Sequence, residues 1–166
     1  MKFPSLSSAL RSAKALVAVA GVAVLAACGS SSSTSTANAY LADVTPALGG
    51  FSAGAPVTVY DAATGKVVGT GTTAAVPLGT ATINIGSFSG TIVVKVDGAA
   101  GVTYLDERDT SVAKPFPAGS SLLAVIPNVG GGNISVGVTQ LTNMIAGSLG
   151  VSSTSFSGGA FVPPST

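Results

Sequence analysis

From Tyr40 onward the sequence repeats with a period of two, and that property constrains the fold more than any other. Val57 and Val59 alternate with Thr58 and Tyr60. Ala81, Ile83 and Ile85 alternate with Thr80, Thr82 and Asn84. Ile92, Val94 and Val96 alternate with Thr91, Val93 and Lys95. Successive side chains of an extended chain point to opposite faces. Such runs therefore bury an apolar face and leave a Thr-rich one outside. Turn residues punctuate the runs. Asp61-Ala62-Ala63-Thr64-Gly65 predicts one hairpin, with Gly65 free to adopt positive φ, and Gly86-Ser87-Phe88-Ser89-Gly90 predicts another. Pro46, Pro56 and Pro77 fall where strand starts or edges are expected. Leu122–Pro127 is a short apolar run that reads as a buried strand, and Ile134–Val138 alternates once more. Short strands separated by turns every 8–12 residues or so predict an all-β domain, an antiparallel sandwich or barrel, over residues 40–138.

The period then changes. Leu141, Met144, Ile145, Ala146 and Leu149 form one stripe of a helix within residues 139–150, with Thr139 as N-cap and Gly150 as C-cap. A helix this short is unstable alone in water. Its stripe is therefore expected to bury itself on an edge or outer face of the sandwich, or to dock on a partner. Residues 151–166 are rich in Ser, Gly and Pro with no period, and disorder is expected there.

Composition excludes several functions. The chain has no histidine, one cysteine and one glutamate, Glu107. Histidine-based triads and histidine metal sites are impossible. A Ser–Lys or paired-Asp site would have to draw on Lys66, Lys95, Lys114 and scattered carboxylates, and no spacing favours one. The expectation is a protein that is not an enzyme, with no catalytic residue and no cofactor. Asp106-Glu107-Arg108-Asp109 concentrates charge as a cation site would, but Arg108 dilutes the field and no calcium-loop spacing follows. It reads as a solvated loop, so no metal is expected. Lys66 and Lys95 lie on expected strands, where an isopeptide partner could be sought, yet such lysines usually face water. The chain has no Trp. A carbohydrate-binding face would need Tyr60, Tyr104 or Phe88 to form a flat platform.

Ahead of the strands stands Leu25-Ala26-Ala27-Cys28, closing an apolar run that begins at Ala15 and is preceded by Lys2, Arg11 and Lys14. The run has 13 residues, whereas spanning a bilayer takes roughly 20. Basic head, short apolar centre and small residues make a secretory signal over residues 1–27. The tetrad looks like the lipobox of bacterial lipoproteins. That likeness implies cleavage between Ala27 and Cys28, acylation of the Cys28 thiol and anchoring to a membrane. Gly29, standing where Asp would signal inner-membrane retention in one bacterial class, implies the outer membrane of a Gram-negative cell. Residues 28–39 carry a Ser/Thr tract and read as a flexible tether, about 17–20 Å long as a coil. Loss of the signal leaves four basic residues against six acidic ones, a formal −2. No basic patch is left for nucleic acid, and none is expected as a partner.

Residues 40–105 resemble the carboxypeptidase-regulatory-like, prealbumin-like sandwich domains. The likeness rests on Gly54–Asp61, Thr64–Thr72, Gly79–Ile85 and Gly90–Val96, with Ala74–Gly79 departing from the family's turn before the third strand. It implies an Ig-like (prealbumin-like) sandwich that serves as a structural or binding scaffold, with an envelope protein or a polysaccharide as partner and an unknown ligand site. Long secreted lipoproteins that resemble this chain continue into a helical region after a segment such as Val138–Asn143. That implies either an N-terminal portion of a larger lipoprotein or a helix that docks elsewhere.

Overall fold

The computed structural model describes residues 39–75 and 79–164. Cys28, Ala27, the tether as far as Asn38 and the turn residue Pro77 lie outside the described residues. In chain order the strands are β1 (Tyr40–Ala47), β2 (Pro56–Asp61), β3 (Val67–Thr72), β4 (Ala81–Gly86), β5 (Gly90–Asp97), β6 (Thr103–Asp106), β7 (Asp109–Pro115), β8 (Ser121–Val129) and β9 (Ile134–Thr139). Helix α1 (Gln140–Ser148) and the short strands β10 (Phe156–Ser157) and β11 (Ala160–Phe161) follow. Over the described residues the chain is an all-β sandwich with one C-terminal helix.

One sheet has the order β4-β1-β9, the other β3-β2-β5-β8. Every pairing is antiparallel except β1 with β9, which run parallel from Ala42↔Ile134 to Ala47↔Thr139. The alternation explains the layers. Val44 on β1, Ile83 on β4 and Val138 on β9 point inward and are fully buried, as are Val57 and Val59 on β2 and Ile92, Val94 and Val96 on β5. A chain with one cysteine can form no internal disulfide, so burial of these β-branched side chains, about 1.5–3 kcal/mol each, is the main driving term. Pro46 stands past Val44, the last β1 residue paired to β4. The strand has one neighbour there, which suits a residue without an N–H.

Two local features hold the layers in place. Gly69 on β3 lies against β4: a Cβ there would come within 2.5 Å of the Asn84 carbonyl oxygen and 2.7 Å of the Ile83 side chain. Only glycine allows the two sheets to approach at that corner. At the other end Phe51 is fully buried, stacked on Tyr104 at 5.9 Å and edge-on to Phe116 at 5.2 Å. Beside it Thr73 is buried with its hydroxyl satisfied, accepting from Ala55 N–H and donating to the Ser52 carbonyl. The Asp61–Gly65 hairpin forms as expected. Gly65 has φ 72° and donates to the Asp61 carbonyl, while the Asp61 carboxylate accepts from Ala63 N–H and the Thr64 hydroxyl.

One expectation is corrected and another is narrowed. Residues 151–164 are not a disordered tail. A 3-10 turn at Ser153–Ser155 leads into the β10–β11 hairpin, and Val151 and Phe161 are buried beside Tyr60, Val93 and Leu123. Those three residues lie on the outer face of the four-stranded sheet. Left uncovered they would expose a contiguous apolar patch, and Val151, Phe156 and Phe161 of the Ser/Gly-rich segment cover it together with Ala146. The helix is the expectation that is narrowed. It forms with Thr139 as N-cap in a reciprocal hydrogen bond with Thr142, and Gly150 follows at φ 80°. It packs through Asn143 and Ala146, and the other four residues of its apolar stripe stay exposed.

Candidate functional site

The face of α1 turned to the sheet is small and partly polar. Ala146 is fully buried, and its lack of bulk lets the helix come close to the sheet. Asn143 accepts a hydrogen bond from Leu123 N–H at 3.0 Å, so the helix satisfies a backbone donor on the edge strand β8. The rest of the stripe faces away. Leu141 is 65% exposed, Met144 72%, Ile145 48% and Leu149 56%. Ser148 falls within the same stripe, and its hydroxyl donates to the Ile145 carbonyl at 2.7 Å, leaving little unsatisfied polarity there. Of the five stripe residues, Ala146 turns to the sheet and the other four to the outside. Of the two placements expected for the stripe, burial on the sandwich and docking elsewhere, the sandwich takes only Ala146, because Asn143 and Ala146 match a strand edge.

At the N-terminal end of this face lies a cavity of about 630 Å³ between the end of β1, the start of α1 and the β6–β7 turn. Leu48, Glu107, Arg108, Gln140 and Leu141 are among its walls. The charged segment Asp106–Asp109, expected as a solvated loop, is the tight turn of the β6–β7 hairpin. Its carboxylates are directed at local partners. Asp106 accepts from Arg108 N–H and pairs with the Lys114 ammonium, and Asp109 accepts from the Ser111 amide and hydroxyl. The Lys114 ammonium, with Arg108 N–H second, holds the Asp106 carboxyl below its ordinary range. The Ser111 hydroxyl and amide do the same for Asp109. Lys114 is pushed up in return by Asp106.

The three aromatic residues considered for a sugar platform are not brought together. Tyr60 is buried beneath the C-terminal hairpin, with Phe156 and Phe161 at 5.2 and 6.2 Å, and its hydroxyl donates to the Gly159 carbonyl. Tyr104 stacks on Phe51, and Phe88 packs against the main core from the β4–β5 turn. Lys95 pairs with Asp97 at 2.7 Å and lies 4.8 Å from the centre of the Phe156 ring, an ion pair and a cation–π contact that fasten the tail to β5. Lys66 is exposed next to the Asp61 turn. Comparison of the chain with protein-family models, curated proteins and solved structures finds no match.

Proposed function

We propose that this chain is a lipid-anchored, non-catalytic module of the bacterial envelope that binds or spaces other components. The observation that carries the reading is Leu25-Ala26-Ala27-Cys28, which closes a 13-residue apolar run after a basic head and is followed by Gly29 and a Ser/Thr tract. The sandwich begins at Tyr40, beyond that tract, so an anchor at Cys28 would leave every strand intact. Absence of histidine and of any thiol besides Cys28 supports a scaffold over an enzyme. The likeness to prealbumin-like domains points the same way. In this reading Cys28 carries the acyl chains and Gly29 directs the protein to the outer membrane.

The test is intact mass and membrane fractionation of the protein made in a Gram-negative host. A mature chain starting at Cys28 with acyl mass, and release of a Cys28→Ala variant into the soluble fraction, are expected. Acyl chains stabilise membrane attachment by about 0.8 kcal/mol per buried CH₂, and a domain of net charge −2 without a basic patch has little else to hold it. An unmodified Cys28, or a variant that stays in the membrane fraction, overturns the anchor.

A further inference from the structure

We infer that the outward face of α1 is a second membrane contact, laying Met144, Ile145 and Leu149 into the lipid interface while the sandwich stands above it. The inference rests on the anchored reading for delivery to the bilayer, and on the helix geometry for the contact itself.

Three observations select a lipid surface over other occupants. First, the face is apolar and the elements that carry it are uncharged. No Asp, Glu, Lys or Arg occurs after Lys114, so β8, β9, α1 and the C-terminal hairpin carry no side-chain charge. Laying these side chains into the interface desolvates no ion of their own. The neighbouring charges are Asp106, Glu107 and Arg108 across the cavity at the Leu141 end, which would lie at headgroup level, and the mutually paired Lys95 and Asp97 on β5. Second, the patch is small. A stable protein partner, a second copy included, takes about 800 Å² from each side, and four side chains on a nine-residue helix offer well under that. A weak contact of this size becomes effective when another tie holds the domain at the same surface, because the second contact is then intramolecular. Third, the chain length allows the orientation. α1 packs along the edge strand β8 and beside β9, and it starts next to Thr139, the residue paired with Ala47 at the end of β1. Tyr40 lies seven residues back along β1 from Ala47, so the start of β1 would stand roughly 23 Å from the start of the helix at about 3.3 Å per residue. The eleven residues from Gly29 to Ala39 span up to about 36–40 Å when extended, which is enough.

The experiment uses the absence of Trp from the chain. Full-length protein carrying Met144→Trp, or Leu41→Trp on the opposite side of the sandwich, is made in a Gram-negative host and purified in its mature form. Each is reconstituted into phosphatidylcholine vesicles with brominated acyl chains. Both positions are exposed, so neither change disturbs the core. Expected are a blue-shifted emission for Met144→Trp and quenching at least about twofold stronger than for Leu41→Trp. Equal quenching of the two, or none at either, overturns the contact. So does a blue shift of Met144→Trp without lipid that grows with protein concentration, which would assign the face to a second copy. If intact mass shows Cys28 unmodified, its thiol is coupled to a maleimide lipid and the measurement repeated. The anchor and the helix contact thereby fail separately.

Discussion

The four-stranded sheet is covered on both faces, by different means. On the inner face Ile92, Val94 and Val96 meet the side chains of three strands from the opposing sheet, and all three are fully buried. On the outer face Tyr60, Val93 and Leu123 are covered by one alanine of α1 and by Val151, Phe156 and Phe161, from a segment whose regular structure is one 3-10 turn and a two-residue-stranded hairpin. The inner contacts join strands distant in sequence, and the pattern of two fixes them in advance. The outer contacts depend on a few aromatic side chains at the end of the chain. Inner packing should therefore govern global unfolding, and outer packing should open locally.

The largest expected effect tests the inner face. Ile92→Ala should cost about 2–5 kcal/mol, read as a lower denaturant midpoint with an unchanged slope. Phe161→Ala on the outer face should cost less, about 2 kcal/mol, since water can enter where the tail lifts. Amide exchange should accelerate at Val151, Phe161 and β10–β11 while β1 and β4 stay protected. If Phe161→Ala lowers the midpoint as much as Ile92→Ala and exposes β1 equally, the two faces form one cooperative unit and the contrast is broken. A smaller effect sharpens the role of α1. Thr139→Ala removes the hydroxyl that accepts from Thr142 N–H and should cost about 1 kcal/mol, with faster exchange confined to the first turn of the helix.

The same contrast explains what was legible in the sequence. Strict alternation in Ala81–Ile85 and Ile134–Val138 specifies the inner face, so these strands and the hairpin at Asp61–Gly65 could be read directly. The outer cover left a weaker trace. Ile92-Val93-Val94 and Leu122-Leu123-Ala124-Val125 break the alternation with apolar residues on both faces, and such runs indicate strands buried on two sides. What lies over them could not be found by periodicity, because Val151, Phe156 and Phe161 are isolated among Ser and Gly. The helix shows a different limit. Its apolar stripe was visible, but which side packs depended on Asn143 meeting an edge N–H and on Ala146 being small, and neither property registers as hydrophobic periodicity. The β6–β7 hairpin was missed for a related reason. Every residue of β7 is exposed, so no buried face marked it, and its turn is held by side-chain hydrogen bonds.

That hairpin supplies the smallest and most local prediction. It has no buried face on β7, so its order relies on the Asp106–Lys114 pair and on the carboxylate-capped turn. The folded structure holds Asp106 and Asp109 below the ordinary carboxylate value, through Lys114 in one case and Ser111 in the other. A carboxyl with a depressed folded pKa contributes stability above its unfolded value, near pH 3.9, and loses it as pH falls through the folded value. Lys114 is raised above 10.5. Its contribution is present below that value and lost as pH climbs through the raised one. The pair therefore operates between about pH 4 and pH 10.5. Both groups face solvent, so salt should weaken it. Acidification below about pH 4 should shift the Arg108 and Ser111 amide resonances, with a parallel change at Ala63, because Asp61 is lowered in the same way by Thr64 and Ala63. Resonances of Val94 in β5 and Ala124 in β8 should hold their positions, since both side chains are fully buried in the core and the ion pair of Lys95 with Asp97 lies toward the end of β5. Loss of the Val94 and Ala124 signals at the same pH as those of the hairpin would show that the charged turn supports the whole sandwich and not only itself.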